Sequence, residues 1–142
     1  MHRIHGELPP QTAAKRYQEE IRDFFGLEAG EFPHFDLMHL GMGPDAHTAS
    51  LFPEDPLLND REGIAAATHV GKFAQWRVTL LPGVLIAAKH SVFLITGAEK
   101  RDAVHAVFHE EYDPLKYPAQ IASHHGRAVT WFLDEAAAGS LD

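Results

Sequence analysis

The chain has 142 residues and no cysteine, so its length favours one compact domain, and its composition excludes disulfide scaffolds and thiolate metal sites. Twelve lysines and arginines against twenty aspartates and glutamates give a formal charge of −8. This charge argues against nonspecific binding to nucleic acid or to anionic membranes, because such binding needs a clustered basic surface. Hydrophobic residues make up 45% of the chain, which favours a packed core. No apolar stretch approaches the ~20 residues of a membrane-spanning helix, and the lack of cysteine fits a cytoplasmic location.

Hydrophobic periodicity predicts alternating helices and strands. Residues 10–25 place apolar side chains at helical spacing between Pro10 and Gly26, which predicts an amphipathic helix. An apolar run at 35–40 predicts a strand that ends at Gly41-Met42-Gly43-Pro44, and residues 45–52 predict a short helix after that loop. Further strands are predicted at 64–70, 76–81, 91–96 and 128–133, and further helices at 84–88, 98–109 and 119–123. The alternation favours an α/β fold with a mostly parallel sheet flanked by helices, in which ligands bind beyond the carboxyl ends of the strands.

The densest functional signal follows the first predicted strand. Two glycines end that strand, and Asp45 and His47 come where the next helix is predicted to begin. Asp45 suits a helix N-cap, and on sequence alone this structural interpretation is as good as a functional one. If His47 lies in the first helical turn, the helix dipole disfavours imidazolium and leaves a neutral ring that accepts a proton. Without further information, one of eleven histidines is more often an ordinary surface or core residue.

Residues 41–53 form a long pattern, Gly-Met-Gly-Pro-Asp-Ala-His-Thr-Ala-Ser-Leu-Phe-Pro. It resembles the signature of the 6-phosphogluconolactonase family, approximately Gly-x-Gly-x-Asp-Gly-His-x-Ala-Ser-Leu-Phe-Pro, with Ala46 as the one departure. The resemblance continues through residues 76–80, 93–100, 117–120 and 129–134 and reaches back to residues 2–8. The related glucosamine-6-phosphate deaminases share the Asp-Gly-His turn but carry Asn-Glu-Pro where this chain has Leu51-Phe52-Pro53, so they are less similar.

The resemblance implies a Rossmann-like fold of the sugar-phosphate isomerase/lactonase type and the hydrolysis of 6-phosphoglucono-δ-lactone in the pentose phosphate pathway. It implies His47 as the general base that takes a proton from water, and Asp45 as the residue that holds the imidazole or the loop. Gly41 and Gly43 are expected to let the backbone approach the substrate closely, since they lack a Cβ. No cofactor and no metal are implied.

The substrate's phosphate needs local cations in so acidic a chain. Arg77 suits a bidentate contact with phosphate oxygens, and Lys100 lies near the start of a predicted helix, where backbone N–H groups also attract anions. On spacing alone each is more often a solvated surface charge, but the resemblance favours anion binding, more firmly for Arg77. The neighbouring His124 and His125 lack a carboxylate cluster at metal-ligand spacing, so a solvated loop is the better interpretation.

Members of this family are longer, and residues 1–142 correspond to their C-terminal part as one N-terminally shortened domain. The family's Gly-Gly-Ser-x-Pro turn and Asp-Glu-Arg element do not occur in the chain, so we expect a sheet that lacks its first strands and exposes an edge. Ala46 costs on the order of 1 kcal/mol if its φ is positive. Ile86 stands where many relatives have Asn, which removes a polar side chain.

Three functions therefore stay open. The leading one is a lactonase that acts on a small sugar-phosphate lactone, with neither nucleic acid nor membrane as a partner. The second is a noncatalytic remnant that binds sugar phosphates, or that assembles as a homo-oligomer or with a complementary N-terminal chain. The third, a sugar-phosphate isomerase or deaminase, is a minor option.

Overall fold

The computed structural model describes residues 1–139 and residue 141. Within this part of the chain, no helix combines the length and the hydrophobicity needed to cross a membrane. The regular elements, in chain order, are α1 (Pro10–Phe25), β1 (Met38–Leu40), β2 (Ala65–Val70), β3 (Gln75–Leu80), α2 (Pro82–Ala87), β4 (Ser91–Ile95), α3 (Arg101–His109), α4 (Gln120–His125), β5 (Val129–Leu133) and α5 (Glu135–Ala138).

A three-stranded parallel sheet in the order β1-β4-β5 positions the site. Its register aligns Leu40 with Phe93 and Phe93 with Trp131, so the three strands end on the same side of the sheet. The loop after β5 is tied to the loop after β4, because both carboxylate oxygens of Asp134 accept from the Gly97 N–H at 3.1 Å. The predicted α/β fold with a mostly parallel sheet is confirmed.

The strands β2 and β3 form a separate antiparallel hairpin, with Ala65 opposite Leu80 and Val70 opposite Gln75. These two predicted strands therefore do not join the parallel sheet. The reason is the connection: residues 71–74 make one 3₁₀ turn, and a crossover between parallel strands needs about a dozen residues or more. The helix α1 packs on this hairpin, where the Gln18 side-chain oxygen accepts from the Ile64 N–H at 3.0 Å.

The helix α1 has the predicted bounds, and Gly26 ends it in the left-handed conformation with φ 62°. The helix predicted at 45–52 is absent, and the segment is an irregular loop. Ala46 and Ala49 have φ of 62° and 50°, and an α-helix requires negative φ at every residue. His124 and His125, predicted in a loop, instead form the last turn of α4.

One face of the parallel sheet is covered by packed side chains, and the other is exposed. On one face the buried Phe93 stacks on Trp131 with ring centroids 4.0 Å apart, and Phe108 of α3 packs edge-on against Trp131 at 5.0 Å. On the other face the register neighbours Leu94 and Phe132 are 54% and 56% exposed. Parallel sheets normally have both faces covered, so this second face is an exposed apolar surface.

Candidate active site

The loop after β1 folds back on itself at the carboxyl end of the parallel sheet. The Gly43 N–H donates to the His47 carbonyl at 2.9 Å, and the Ala46 N–H donates to the Gly43 carbonyl at 3.0 Å. The buried Thr48 hydroxyl donates to the Gly41 carbonyl at 2.8 Å. These bonds hold His47 close to the end of β1, which is where ligands bind in α/β sheets of this kind.

Ala46 adopts a conformation that usually belongs to glycine. Its φ is 62°, so the cost that the sequence analysis attached to a positive φ applies, and this region costs a residue with a Cβ about 1–2 kcal/mol. The residue is buried, and its carbonyl accepts from the Ala119 N–H at 2.9 Å. Contacts with the start of α4 therefore stabilise a turn that its own backbone preference opposes.

The two glycines of the loop differ in what surrounds them. A Cβ on Gly43 would overlap the Nδ1 and Cε1 atoms of His47 and lie 2.7 Å from the Oδ1 atom of Asp45. Gly43 thus makes room for the imidazole, a role that the sequence analysis did not assign. A Cβ on Gly41 would meet no described atom within 4 Å, so close approach of a substrate at Gly41 stays a prediction.

The imidazole of His47 is held by Asp45 on one edge and by Phe52 on one face. His47 Nδ1 lies 2.5 Å from Asp45 Oδ1, and the His47 backbone N–H donates to the same oxygen at 3.2 Å. The Phe52 ring stacks on the imidazole with centroids 4.1 Å apart. An ionised carboxylate only accepts hydrogen bonds, so the shared proton belongs to Nδ1 and the lone pair of the neutral ring is on Nε2.

Lys72, which the sequence analysis did not single out, completes this arrangement. Its ammonium donates to Asp45 Oδ2 and lies 4.7 Å from the Phe52 ring centroid and 5.1 Å from that of Phe73. Its only sequence signal is its place directly after Gly71, at the end of the predicted strand 64–70. The antiparallel hairpin, which returns towards the loop after β1, brings it to Asp45.

These contacts keep the imidazole of His47 neutral and the carboxylate of Asp45 ionised. Burial lowers the pKa of His47 below its ordinary value of 6.5, and the positive charges of Lys72 and Lys100 act in the same direction against the raising effect of Asp45. Burial by itself raises the pKa of Asp45, but hydrogen bonds from Lys72 and from His47 outweigh it and bring the value to about 2. A neutral imidazole therefore lies beside an ionised carboxylate at neutral pH. The predicted cause, a helix dipole, is wrong because no helix begins here.

A cleft of about 390 Å³ joins His47 to one of the two predicted cations. Lys100 lines this cleft, and its ammonium donates to the Met42 carbonyl at 2.9 Å. Arg77 is not among the lining residues; it is exposed on β3 with its guanidinium 5.2 Å from the Phe73 ring. The structure thus brings His47, Asp45 and Lys100 together and leaves Arg77 outside the cleft.

The family model described as glucosamine-6-phosphate isomerases/6-phosphogluconolactonase matches residues 1–131. The chain belongs to this family. The resemblance noted from residues 41–53 is thereby confirmed.

Individual relatives agree with the family. The 6-phosphogluconolactonase of Synechocystis sp. is 41% identical over 132 residues, which are 93% of this chain and 54% of that protein. The 6-phosphogluconolactonase of Homo sapiens is 42% identical over 140 residues, which are 97% of this chain and 53% of that protein. The match to the crystal structure of the devB protein covers 99% of this chain and 58% of the devB chain, with a TM-score of 0.86 and 36% identity. The chain thus spans about half the length of the curated relatives it matches.

Proposed function

We propose that this chain hydrolyses 6-phosphoglucono-δ-lactone to 6-phosphogluconate, a step of the pentose phosphate pathway, in the cytoplasm. The observation that carries the proposal is the 2.5 Å contact between His47 Nδ1 and Asp45 Oδ1, which directs the basic Nε2 atom away from the carboxylate. The side chain of His47 is 23% exposed, so water reaches it. The names of the relatives support the choice of substrate.

The reaction follows from the chemistry of a neutral, oriented imidazole. His47 Nε2 takes a proton from water, and the water oxygen attacks the lactone carbonyl carbon, C1. The bond between C1 and the ring oxygen then breaks, and the imidazolium returns its proton to that oxygen. The new carboxylic acid ionises into solvent. Asp45 keeps the ring in one tautomer and stabilises the imidazolium while it exists, as the carboxylate does in a catalytic triad.

Lys100 and Arg77 are the proposed ligands of the substrate's phosphate. Lys100 is the better placed of the two, since it lines the cleft of His47. We expect Lys100→Met to raise KM for the phosphorylated lactone about tenfold and to leave the rate with unphosphorylated glucono-δ-lactone unchanged, because uniform binding is lost without a change in the chemical step. Arg77→Met tests the second cation in the same way. Lys89→Met, at an exposed lysine paired with Asp36, is the control for the loss of a surface charge.

Product analysis tests the function itself. The protein is incubated separately with 6-phosphoglucono-δ-lactone and with glucosamine 6-phosphate, and the products are identified by NMR. The proposal predicts faster formation of 6-phosphogluconate than in buffer and no release of ammonia from the amino sugar. Ammonia release without lactone hydrolysis would assign the deaminase reaction instead.

Assembly with a complementary chain, or with further copies of this one, is the second candidate function. The observation that favours it is the exposed apolar face around Leu94 and Phe132 on a parallel sheet. Mass measurement by size exclusion with light scattering tests it. A well-folded monomer that binds 6-phosphogluconate would argue against the need for a partner, and a stable higher mass would support assembly.

A further inference from the structure

We infer that Lys72 is a positioning residue for His47: it anchors the second oxygen of Asp45, and the anchored carboxylate keeps the imidazole in its orientation with Nε2 free. The inference rests on the proposed function in one respect, namely that His47 is the base whose orientation matters.

Asp45 divides its two oxygens between two partners. Oδ1 accepts from the side chain of His47 at 2.5 Å and from its backbone N–H at 3.2 Å, and Oδ2 accepts from Lys72. A carboxylate bound on one oxygen only is free to turn about its last torsion, which is broad for Asp. With both oxygens bound, the plane of the carboxylate is fixed, and so is the direction in which the imidazole must donate.

Lys72 is itself held in place. It lies in the 3₁₀ turn Gly71–Phe73, which joins the two strands of the hairpin. Its ammonium lies over the Phe52 ring at 4.7 Å, and that ring also stacks on the imidazole at 4.1 Å. Cation–π contacts of this kind are favourable and hold the ammonium against the ring. Lys72, Phe52, Asp45 and His47 therefore form a closed ring of contacts.

The ordinary interpretation is a surface ion pair with no effect on the site. The pair Lys89–Asp36 is of that kind, with side chains 56% and 89% exposed and no third partner among the described residues. In the Lys72–Asp45 pair the carboxylate is only 29% exposed and is shared with the imidazole. The two pairs thus offer a matched comparison within one chain.

The tautomer of His47 gives the inference a readout that a purely electrostatic effect of Lys72 would not move. Asp45, Lys72 and Lys100 are the charged groups that act on the imidazole. On the far side of Asp45, the cavity that Lys72 lines also includes Glu54, Asp55 and His69. Removal of the Lys72 charge is expected to raise the pKa of His47, because that charge disfavours imidazolium.

The test compares Lys72→Met, Lys72→Arg and the control Lys89→Met in the full chain. Nitrogen NMR of the imidazole gives the tautomer and the pKa of His47 without any need for activity, and steady-state kinetics give kcat and KM separately. We expect Lys72→Met to raise the His47 pKa, to mix the two tautomers, and to lower kcat by about tenfold to hundredfold with little change in KM. Lys72→Arg restores most of the His47 pKa, the tautomer and kcat, and Lys89→Met changes none of the three.

The outcomes separate this inference from the proposed function. An unchanged His47 tautomer in Lys72→Met, with or without a raised pKa and with thermal unfolding like that of the wild type, would overturn the positioning role even if the wild type hydrolyses the lactone. A shifted pKa and mixed tautomers in a chain that does not hydrolyse the lactone would support the positioning role and refute the proposed function.

Discussion

Gly43→Ala perturbs the site through one methyl group. The space that this methyl would take is filled by the His47 ring, and the Asp45 carboxylate is 2.7 Å from the new Cβ. Gly43 has no positive φ, so its backbone accepts alanine and the cost is steric alone. The imidazole must therefore move, or the loop must open.

The expected magnitude follows from these two responses. Inserting a methyl into a filled space typically costs 1–3 kcal/mol of stability. If the ring swings away instead, the chain loses a hydrogen bond to a charged group, which contributes roughly 1.5–3 kcal/mol. Either response moves His47 Nε2 by about the distance that lowers a rate on the order of 100-fold.

The assay measures unfolding free energy by chemical denaturation and lactone hydrolysis by the release of acid. Gly41→Ala is the matched control for stability, since its Cβ meets no described atom within 4 Å, and its unfolding free energy should stay within about 0.5 kcal/mol of the wild type. A Gly43→Ala variant with wild-type stability and a wild-type rate would refute the close packing of His47 on this glycine.

Three further predictions address the loop and its charges. Ala46→Gly should change the unfolding free energy by less than about 0.5 kcal/mol, because relief of about 1 kcal/mol of strain offsets the loss of a buried methyl, whereas Ala14→Gly in α1 should cost about 2 kcal/mol. A similar loss for both would contradict the left-handed turn. The rate of lactone hydrolysis should fall as the pH drops through the pKa of His47, which lies below 6.5. If kcat/KM instead falls on the acid side with a midpoint above pH 6.5, the burial of the ring is contradicted. Because the pKa of Asp45 falls from 3.8 to about 2 on folding, its stabilisation is present above pH 3.8 and is lost towards pH 2. The difference in unfolding free energy between wild type and Asp45→Asn should therefore narrow as the pH falls from 3.8 towards 2. A constant difference would contradict the lowered pKa of Asp45.

The sequence predicts best where structure depends on neighbours along the chain. The bounds of α1 follow from its apolar spacing between Pro10 and Gly26, and both signals are local. The parallel strands β4 and β5 were found for the same reason, as β-rich apolar runs that end at turn residues. The pattern of residues 41–53 placed His47 and Asp45 at the correct end of β1.

The rest depends on contacts between distant residues. The turn at Ala46 is supported by the Ala119 N–H, which no reading of residues 45–52 includes, so a helix was predicted there. The hairpin of β2 and β3 is an exception, because its signal is local: the five residues between the predicted strands 64–70 and 76–81 are too few for a crossover between parallel strands. Lys72 was missed because only the hairpin brings it to Asp45.

The central claim is that His47 acts as the base in lactone hydrolysis. The most direct test is the rate of hydrolysis of 6-phosphoglucono-δ-lactone by the wild type and by His47→Ala, each compared with the spontaneous rate in the same buffer. General base catalysis contributes about 10²–10⁴-fold, so the wild type should exceed the spontaneous rate clearly and His47→Ala should lose at least about 100-fold of that excess. Equal rates for the two proteins would contradict the account.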